Sequence, residues 1–336
     1  MHWMDRLFYL ALPRQPFFAS GWGDEAVGAG GLDGLRQRPA AIEVRWEGES
    51  RWRGARLCAG SFESPEARLP RESRRARIRM LLPAQGEPAA VCLHLAASGD
   101  QGFGMRLRLA APLLARGIAA LVLENPYYGD RRPTGQPGAA LRTVSDLALM
   151  ASATIEEGRA LLAWLRGVGH RRLGVAGYSM GGQMSAMVGA SLPFPLAIAA
   201  LAPSNTPATV FTEGLLSSHP RFDALARRGE KPAQAREALR RLLLRFAVTS
   251  LPPPVEPGAA IVVANRRDGV VAPSDMERIA AHWRCEICWL DTGHVGAVVL
   301  HRAALRRAVA AAFDRLDAGR TGPGGEPARA ALSSDR

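Results

Sequence analysis

The sequence predicts an α/β protein, with a mostly parallel central sheet and helices on both faces. Three observations predict it. Seven short runs rich in Val, Ile, Leu and Ala recur along the 336 residues. Between them lie stretches whose apolar residues repeat at three- and four-residue spacing, the period of a helix. A lone serine between glycines, "GYSMGG" (177–182), joins one apolar run to one helical stretch. Continuous apolar strands that alternate with helices belong to parallel sheets buried on both faces.

The elements follow in order. The N-terminal "MHWMDRLFYLALPRQPFF" holds a short apolar run. No basic segment leads into it, and Pro13 and Arg14 interrupt it, so it reads poorly as a signal peptide. A cytoplasmic protein is expected. "AIEVRW" (41–46) and "GARLCAG" (54–60) read as antiparallel edge strands, and residues 1–65 as an N-terminal extension packed on the core. The alternation then starts. Its strands are "RIRMLL" (77–82), "AVCLHL" (90–95), "IAALVLE" (118–124), "RLGVAG" (172–177), "LAIAAL" (196–201), "AAIVVAN" (259–265) and "CEICWL" (285–290). Its helices are expected at 104–116, 141–167, 181–191, 275–283 and 297–317. The interval 203–258 breaks the rhythm with a turn-rich start, an Arg-rich helical stretch and "LPPPVEPG". Such an insertion between two strands has the form of a helical lid on a domain spanning 66–317. The Gly- and Pro-rich tail, 318–336, is expected to be disordered.

"RLGVAG", "YSMGG" and the helical run after it give a strand, a sharp turn and a helix. That is the setting of a nucleophile elbow, G-x-S-x-G. Gly177 and Gly181 stand two residues before and after Ser179, where strand and helix cross closely and a side chain would not fit. The turn exposes the Ser179 hydroxyl and aims the first helical N–H groups, starting with Met180, at whatever it attacks. A serine hydroxyl needs a base, and the base needs an acid to orient it. In this kind of sheet both follow the serine along the chain, on loops after later strands. Asp268 lies three residues past "AAIVVAN", and His294 sits in a Gly-flanked loop just past the last strand. Asp291, close to His294, reads as shaping that loop and Asp275 as a helix start, while His282 sits on a helix and His170 and His301 lack loop positions at strand ends. A second oxyanion donor belongs in "VCLHLAASGDQGFG", where Ala96 and Ala97 are equal candidates beside Met180. His94 reads as a strand-end residue that braces this loop. In "LENPYYGDRRP" (123–133), Tyr127 and Tyr128 read as walls of an acyl pocket and Arg131, or Arg132, as a partner for an anionic substrate group.

Forty-three basic against 31 acidic residues give a net charge of +12, and Lys231 is the one lysine. "RLPRESRRARIR" (68–79) has no interleaved aromatics, so no nucleic-acid partner is expected. An Arg-rich surface does suit peripheral contact with an anionic membrane surface. "CEIC" places its two cysteines on opposite sides of a buried strand, which argues against a metal or redox pair. The serine chemistry needs no metal and no cofactor.

Taken together, "PFFASGWGDEA", "HLAASGDQGFGMR", "LENPYYGDRRP", "GYSMGG" and "LAPSNTPATVFTEGLLS" resemble the matching blocks of the abhydrolase-domain-containing protein 18 family. The resemblance spans roughly residues 15–310. It implies an α/β-hydrolase fold, a serine nucleophile at Ser179 with Asp268 and His294, and a site near 203–218. The expected activity is serine hydrolysis of small-molecule or lipid acyl esters or thioesters. The alternatives are amide hydrolysis or acyl transfer by the same residues, or a binding module that has kept the fold alone.

Overall fold

The computed structural model describes residues 2–11, 16–28, 32, 35 and 37–321. Nine strands form one sheet: β1 (Arg45–Trp52), β2 (Ala55–Glu63), β3 (Arg75–Leu82), β4 (Ala90–Leu95), β5 (Ile118–Leu123), β6 (Leu173–Tyr178), β7 (Ala197–Leu201), β8 (Ala260–Asn265) and β9 (Glu286–Leu290). Their spatial order is β1-β2-β3-β5-β4-β6-β7-β8-β9. From β5 to β9 all neighbours are parallel, and β1, β2 and β3 continue the sheet antiparallel. The fold is therefore α/β with a mostly parallel sheet.

Each residue of β4, β5, β6, β7 and β8 is buried. Alternate residues of a strand face opposite sides, so both faces are covered. The helices are α1 (Trp3–Ala11), α2 (Arg71–Arg74), α3 (Gly104–Ala110), α4 (Val144–Gly167), α5 (Met180–Ala190), α6 (Pro207–Thr212), α7 (Phe222–Leu225), α8 (Pro232–Leu244), α9 (Pro273–Trp283), α10 (His294–Leu300) and α11 (Arg302–Thr321). α4 and α5 pack on each other and on β4 and β6, while α3 and α11 pack on each other and on β5, β7 and β8. The long α4 starts at a reciprocal cap. Thr143 Oγ1 accepts from the Asp146 N–H, and the Asp146 carboxylate accepts from the Thr143 N–H, both at 3.0 Å. This satisfies two of the backbone donors that a helix start leaves free.

Three expectations need correction. The segment 41–46 becomes strand only from Arg45 onward. The single helix expected at 297–317 is two, broken at His301, and its second part runs on to Thr321. "CEICWL" is not a buried strand: β9 is an edge strand, with Glu286 exposed and its other residues half-buried. Cys58, Cys92, Cys285 and Cys288 are all free thiols. Residues 322–336, most of the tail expected to be disordered, lie outside the described residues. The interval 203–258 carries α6, α7 and α8 with short 3-10 turns. Among the described residues, no helix is long and apolar enough to cross a membrane.

Candidate active site

β6 ends at Tyr178 and α5 begins at Met180, so Ser179 alone makes the turn. Its backbone sits at φ 58°, ψ −121°, a region most side chains avoid. The glycines on either side explain how the turn closes. A Cβ on Gly177 would lie 2.3 Å from the Gly181 carbonyl oxygen, and one on Gly181 would lie 2.5 Å from that of Leu95. Both are backbone atoms that cannot step aside. The Ser179 N–H is tied to the Leu201 carbonyl at 2.8 Å, which fixes the turn to β7.

Ser179 Oγ lies 2.9 Å from His294 Nε2, and His294 Nδ1 lies 2.7 Å from Asp268 Oδ2. Three residues from distant parts of the chain thus form one hydrogen-bonded line. Asp268 is held in turn. Its Oδ1 accepts from the Val270 and Val271 N–H groups, each at 2.9 Å, and its Oδ2 accepts from Asn265 Nδ2, also at 2.9 Å. Tyr178 donates its hydroxyl to the His294 carbonyl at 2.5 Å and accepts from Asn265 at 3.2 Å. Asn265, at the end of β8, therefore ties the acid to the strand that carries the serine.

The electrostatics follow from burial and pairing. Burial pushes the His294 imidazole down. The Asp268 charge, their hydrogen bond and a contribution from Asp5 outweigh it, so the net shift is upward from the ordinary 6.5. Burial pushes Asp268 up, and the His294 charge, that hydrogen bond and the bonds from Val271 and Asn265 reverse it, so the net shift is downward. Both directions favour an ionised acid beside a histidine that protonates readily.

The sequence gives Asp5 no role at this site. It is fully buried on α1, and its carboxylate accepts from the N–H groups of Gly269, His294 and Val295, each at 2.9 Å. One side chain thus holds the loop of the acid and the helix start of the histidine. It also caps α10 at its positive end. The only trace in the sequence is an aspartate set inside an apolar helical run.

The remaining candidates divide. Met180 is the first residue of α5 and lines the same cavity as Ser179. Ala96 is buried directly after β4, and its carbonyl lies against Gly181. Ala97 faces a second cavity with His94 and Tyr178, and it is Ser98 of this loop that lines the Ser179 cavity. Tyr128 lines the Ser179 cavity, and its hydroxyl accepts from the Gly99 N–H at 3.3 Å, so it also holds the loop. Tyr127 does not wall the cavity. It is buried elsewhere at a positive φ of 65°, with its N–H on Ser73 and its carbonyl on Gln136. Arg131 does not face a substrate either. It is 0% exposed and bridges Glu157 with both ends of its guanidinium, at 2.8 and 2.5 Å. The Glu124 and Ser73 carbonyls take its remaining donors.

His94 does not brace the 96–100 loop through its ring. Its Nε2 has no hydrogen-bond partner, and burial, with Arg106 adding, holds it down to about 3. The brace is the buried Arg106–Asp100 pair at 2.8 Å. Among the described residues, no group of three or more His, Cys, Asp or Glu side chains is placed to hold a metal ion.

The Ser179 cavity encloses about 80 Å³ and is mostly apolar. Met150 of α4, Met184 and Met187 of α5, Phe211 of α6, Leu243 of α8 and Val270 line it. The inserted helices α6 and α8 therefore form one wall.

A sheet of this order with a serine at the β6–α5 turn defines an α/β-hydrolase fold. Solved structures share it at low identity. Acetyl xylan esterase 1 from Thermoanaerobacterium sp. JW/SL YS485 is 16% identical with a TM-score of 0.61, over 89% of this chain and 99% of that one. An acetyl xylan esterase from Paenibacillus sp. R4 is 15% identical with a TM-score of 0.59, over 92% and 99%. An S-formylglutathione hydrolase from Agrobacterium tumefaciens is 17% identical with a TM-score of 0.51, over 81% and 99%. The chain belongs to the alpha/beta hydrolase domain containing 18 family, whose model matches residues 15–234 and 226–315.

Proposed function

We propose that this chain hydrolyses carboxylic esters or thioesters through an acyl-enzyme on Ser179. The observation that carries the reading is the continuous line from Ser179 Oγ through His294 to Asp268, opening on an apolar cavity. Ser179 Oγ attacks the carbonyl carbon while His294 Nε2 takes its proton. Asp268 holds the ring so that Nδ1 carries the other proton, and it stabilises the charged imidazolium. The oxyanion forms beside the Met180 N–H at the start of α5, with an N–H of Ala96 or Ala97 as the second donor. Each such donor is worth about 3 kcal/mol in the transition state. His294 then protonates the departing alkoxide or thiolate. Water attacks the acyl-enzyme with His294 again as base, which releases the acid and restores Ser179. The methionines and Phe211 in the cavity suit an aliphatic acyl chain. A series of p-nitrophenyl esters of increasing chain length tests the reading. Turnover by wild type that is absent from Ser179→Ala supports it, and equal turnover by the two contradicts it.

The reading fixes the sense of the pH dependence. The reaction needs neutral His294, whose pKa is raised above 6.5 by Asp268 and Asp5. Below that pKa the ring is already protonated and cannot take the serine proton. A plot of kcat/KM against pH should therefore fall on the acid side with a midpoint above 6.5. Asp268→Asn should move that midpoint down, and a midpoint that stays put would contradict the assigned acid.

Asp5→Ala should weaken the same reaction from outside the cavity. It leaves one buried and two partly buried N–H groups unpaired and loosens the base against the acid. A base displaced by an ångström costs roughly 100-fold in rate, so kcat should fall by about 10- to 100-fold. The acid-side midpoint should also drop, because a negative charge near His294 is gone. A fall in stability alone, with kcat and the midpoint unchanged in the folded fraction, would leave Asp5 a purely structural cap.

A further inference from the structure

We infer that α1 and α10 together form a docking surface for an anionic lipid bilayer. Eleven large apolar side chains are exposed among the described residues, and six of them sit on these two helices. On α1 they are Trp3 at 62%, Leu7 at 56%, Phe8 at 45% and Leu10 at 75%. On α10 they are Val299 at 46% and Leu300 at 64%. A helix in a folded domain normally turns its apolar residues inward. α1 does the reverse: its one fully buried side chain is the charged Asp5, and its Trp, Phe and Leu residues face out.

The two helices are one surface, because α1 packs on α10 and Asp5 bonds the first N–H groups of α10. Clustered apolar exposure of this kind marks an interaction site. Its chemistry favours a bilayer. Exposed Trp, Phe and Leu on a short helix, with arginine beside them, is the composition of an interfacial helix. Arg6 lies on α1, and Arg302 opens α11, separated from the end of α10 by His301 alone. Arg302 and Arg108 line one cavity together with Val299 and Met105, and Met105 is itself exposed. These three arginines are exposed, and none has an ion pair within 4.0 Å among the described residues. Exposed cations around an apolar patch fit anionic headgroups around acyl chains. The net charge of +12 adds attraction at longer range.

The surface adjoins the candidate active site. The Asp5 carboxylate reaches the backbone of His294 and Gly269 from the buried side of α1. The inference nonetheless stands apart from the ester reading, because docking needs neither Ser179 nor turnover.

The test is co-sedimentation of the full chain with vesicles. Ser179→Ala protein is used so that no lipid can be hydrolysed. It is run with pure phosphatidylcholine and with phosphatidylcholine mixed with phosphatidylglycerol. Binding is expected to the mixed vesicles and to weaken as salt is raised from about 0.1 M to about 1 M, where the screening length falls from about 10 Å to about 3 Å. Leu7→Asp/Leu10→Asp removes two exposed side chains and should lower partitioning by more than about tenfold at unchanged melting temperature. Arg302→Gln should lower it about fivefold, the effect of one cation at an anionic surface. Three results would overturn the inference: protein left in the supernatant with anionic vesicles, variants that sediment like wild type, or a dimer by light scattering that the leucine variant abolishes while vesicles are ignored. Because the probe protein lacks the serine, a negative result leaves the hydrolase reading untouched, and an inactive wild type leaves docking untouched.

Discussion

Ser179→Ala is expected to fold normally and to lose ester hydrolysis by a factor on the order of 10⁶ in kcat. The substitution removes one oxygen atom. It leaves the 2.8 Å bond from the residue 179 N–H to Leu201 and the glycine crossing on either side, so the elbow itself should persist. What disappears is the group that becomes acylated. His294 then faces the cavity with nothing to deprotonate but water. His294→Ala should cost nearly as much, and the double variant little more than either, because the two residues act as one unit. Additive losses would mean that the hydrogen-bonded line does not work as a relay. Melting temperature and the circular dichroism spectrum separate lost chemistry from lost fold.

The second large effect falls on stability. Glu157→Ala should destabilise the chain by about 3–5 kcal/mol, read as a drop in the urea midpoint, because it strands a buried cation. Glu157 and Arg131 are both 0% exposed, and their bidentate pairing joins α4 to the loop after β5. The Glu124 and Ser73 carbonyls would still hold the guanidinium, but no counter-charge would remain. Arg131→Met/Glu157→Leu should recover much of the loss, since a buried pair is often replaceable by apolar residues of similar size. The loop held by Arg131 also carries Tyr128, which bonds the Gly99 N–H beside the candidate oxyanion loop. Activity should therefore decline along with stability. An unchanged urea midpoint for Glu157→Ala would show that the pair is open to water, and Arg131 would regain its place as a substrate contact.

The parallel strands were legible because they are buried on both faces, so their sequences are apolar throughout. The elbow was legible because its glycines answer a steric demand that no other residue meets. The meeting of Ser179, Asp268 and His294 followed from chain order, since loops after parallel strands converge at one edge of the sheet. Other features depend on contacts that no local pattern encodes. Arg131 looks like a surface arginine until Glu157, 26 residues later, is placed against it. Tyr127 looks like its neighbour Tyr128, yet a positive φ turns it away from the cavity. Asp5 bonds residues more than 260 positions away, and its helix reads as an apolar segment of no stated purpose. β9 was read as buried because its residues are apolar, but it lies at the sheet edge where one side has no neighbour. Hydrophobic content reports what a strand tolerates, and position in the sheet decides how much of it is covered.

The most direct test of the central claim is covalent labelling of the purified protein with a fluorophosphonate, followed by mapping of the adduct by mass spectrometry. A serine activated by His294 and Asp268 should give a single adduct on the peptide that carries Ser179. The adduct should be absent from Ser179→Ala and strongly slowed in His294→Ala. Failure of folded wild type to label, or an adduct on a different serine that survives Ser179→Ala, would contradict the account.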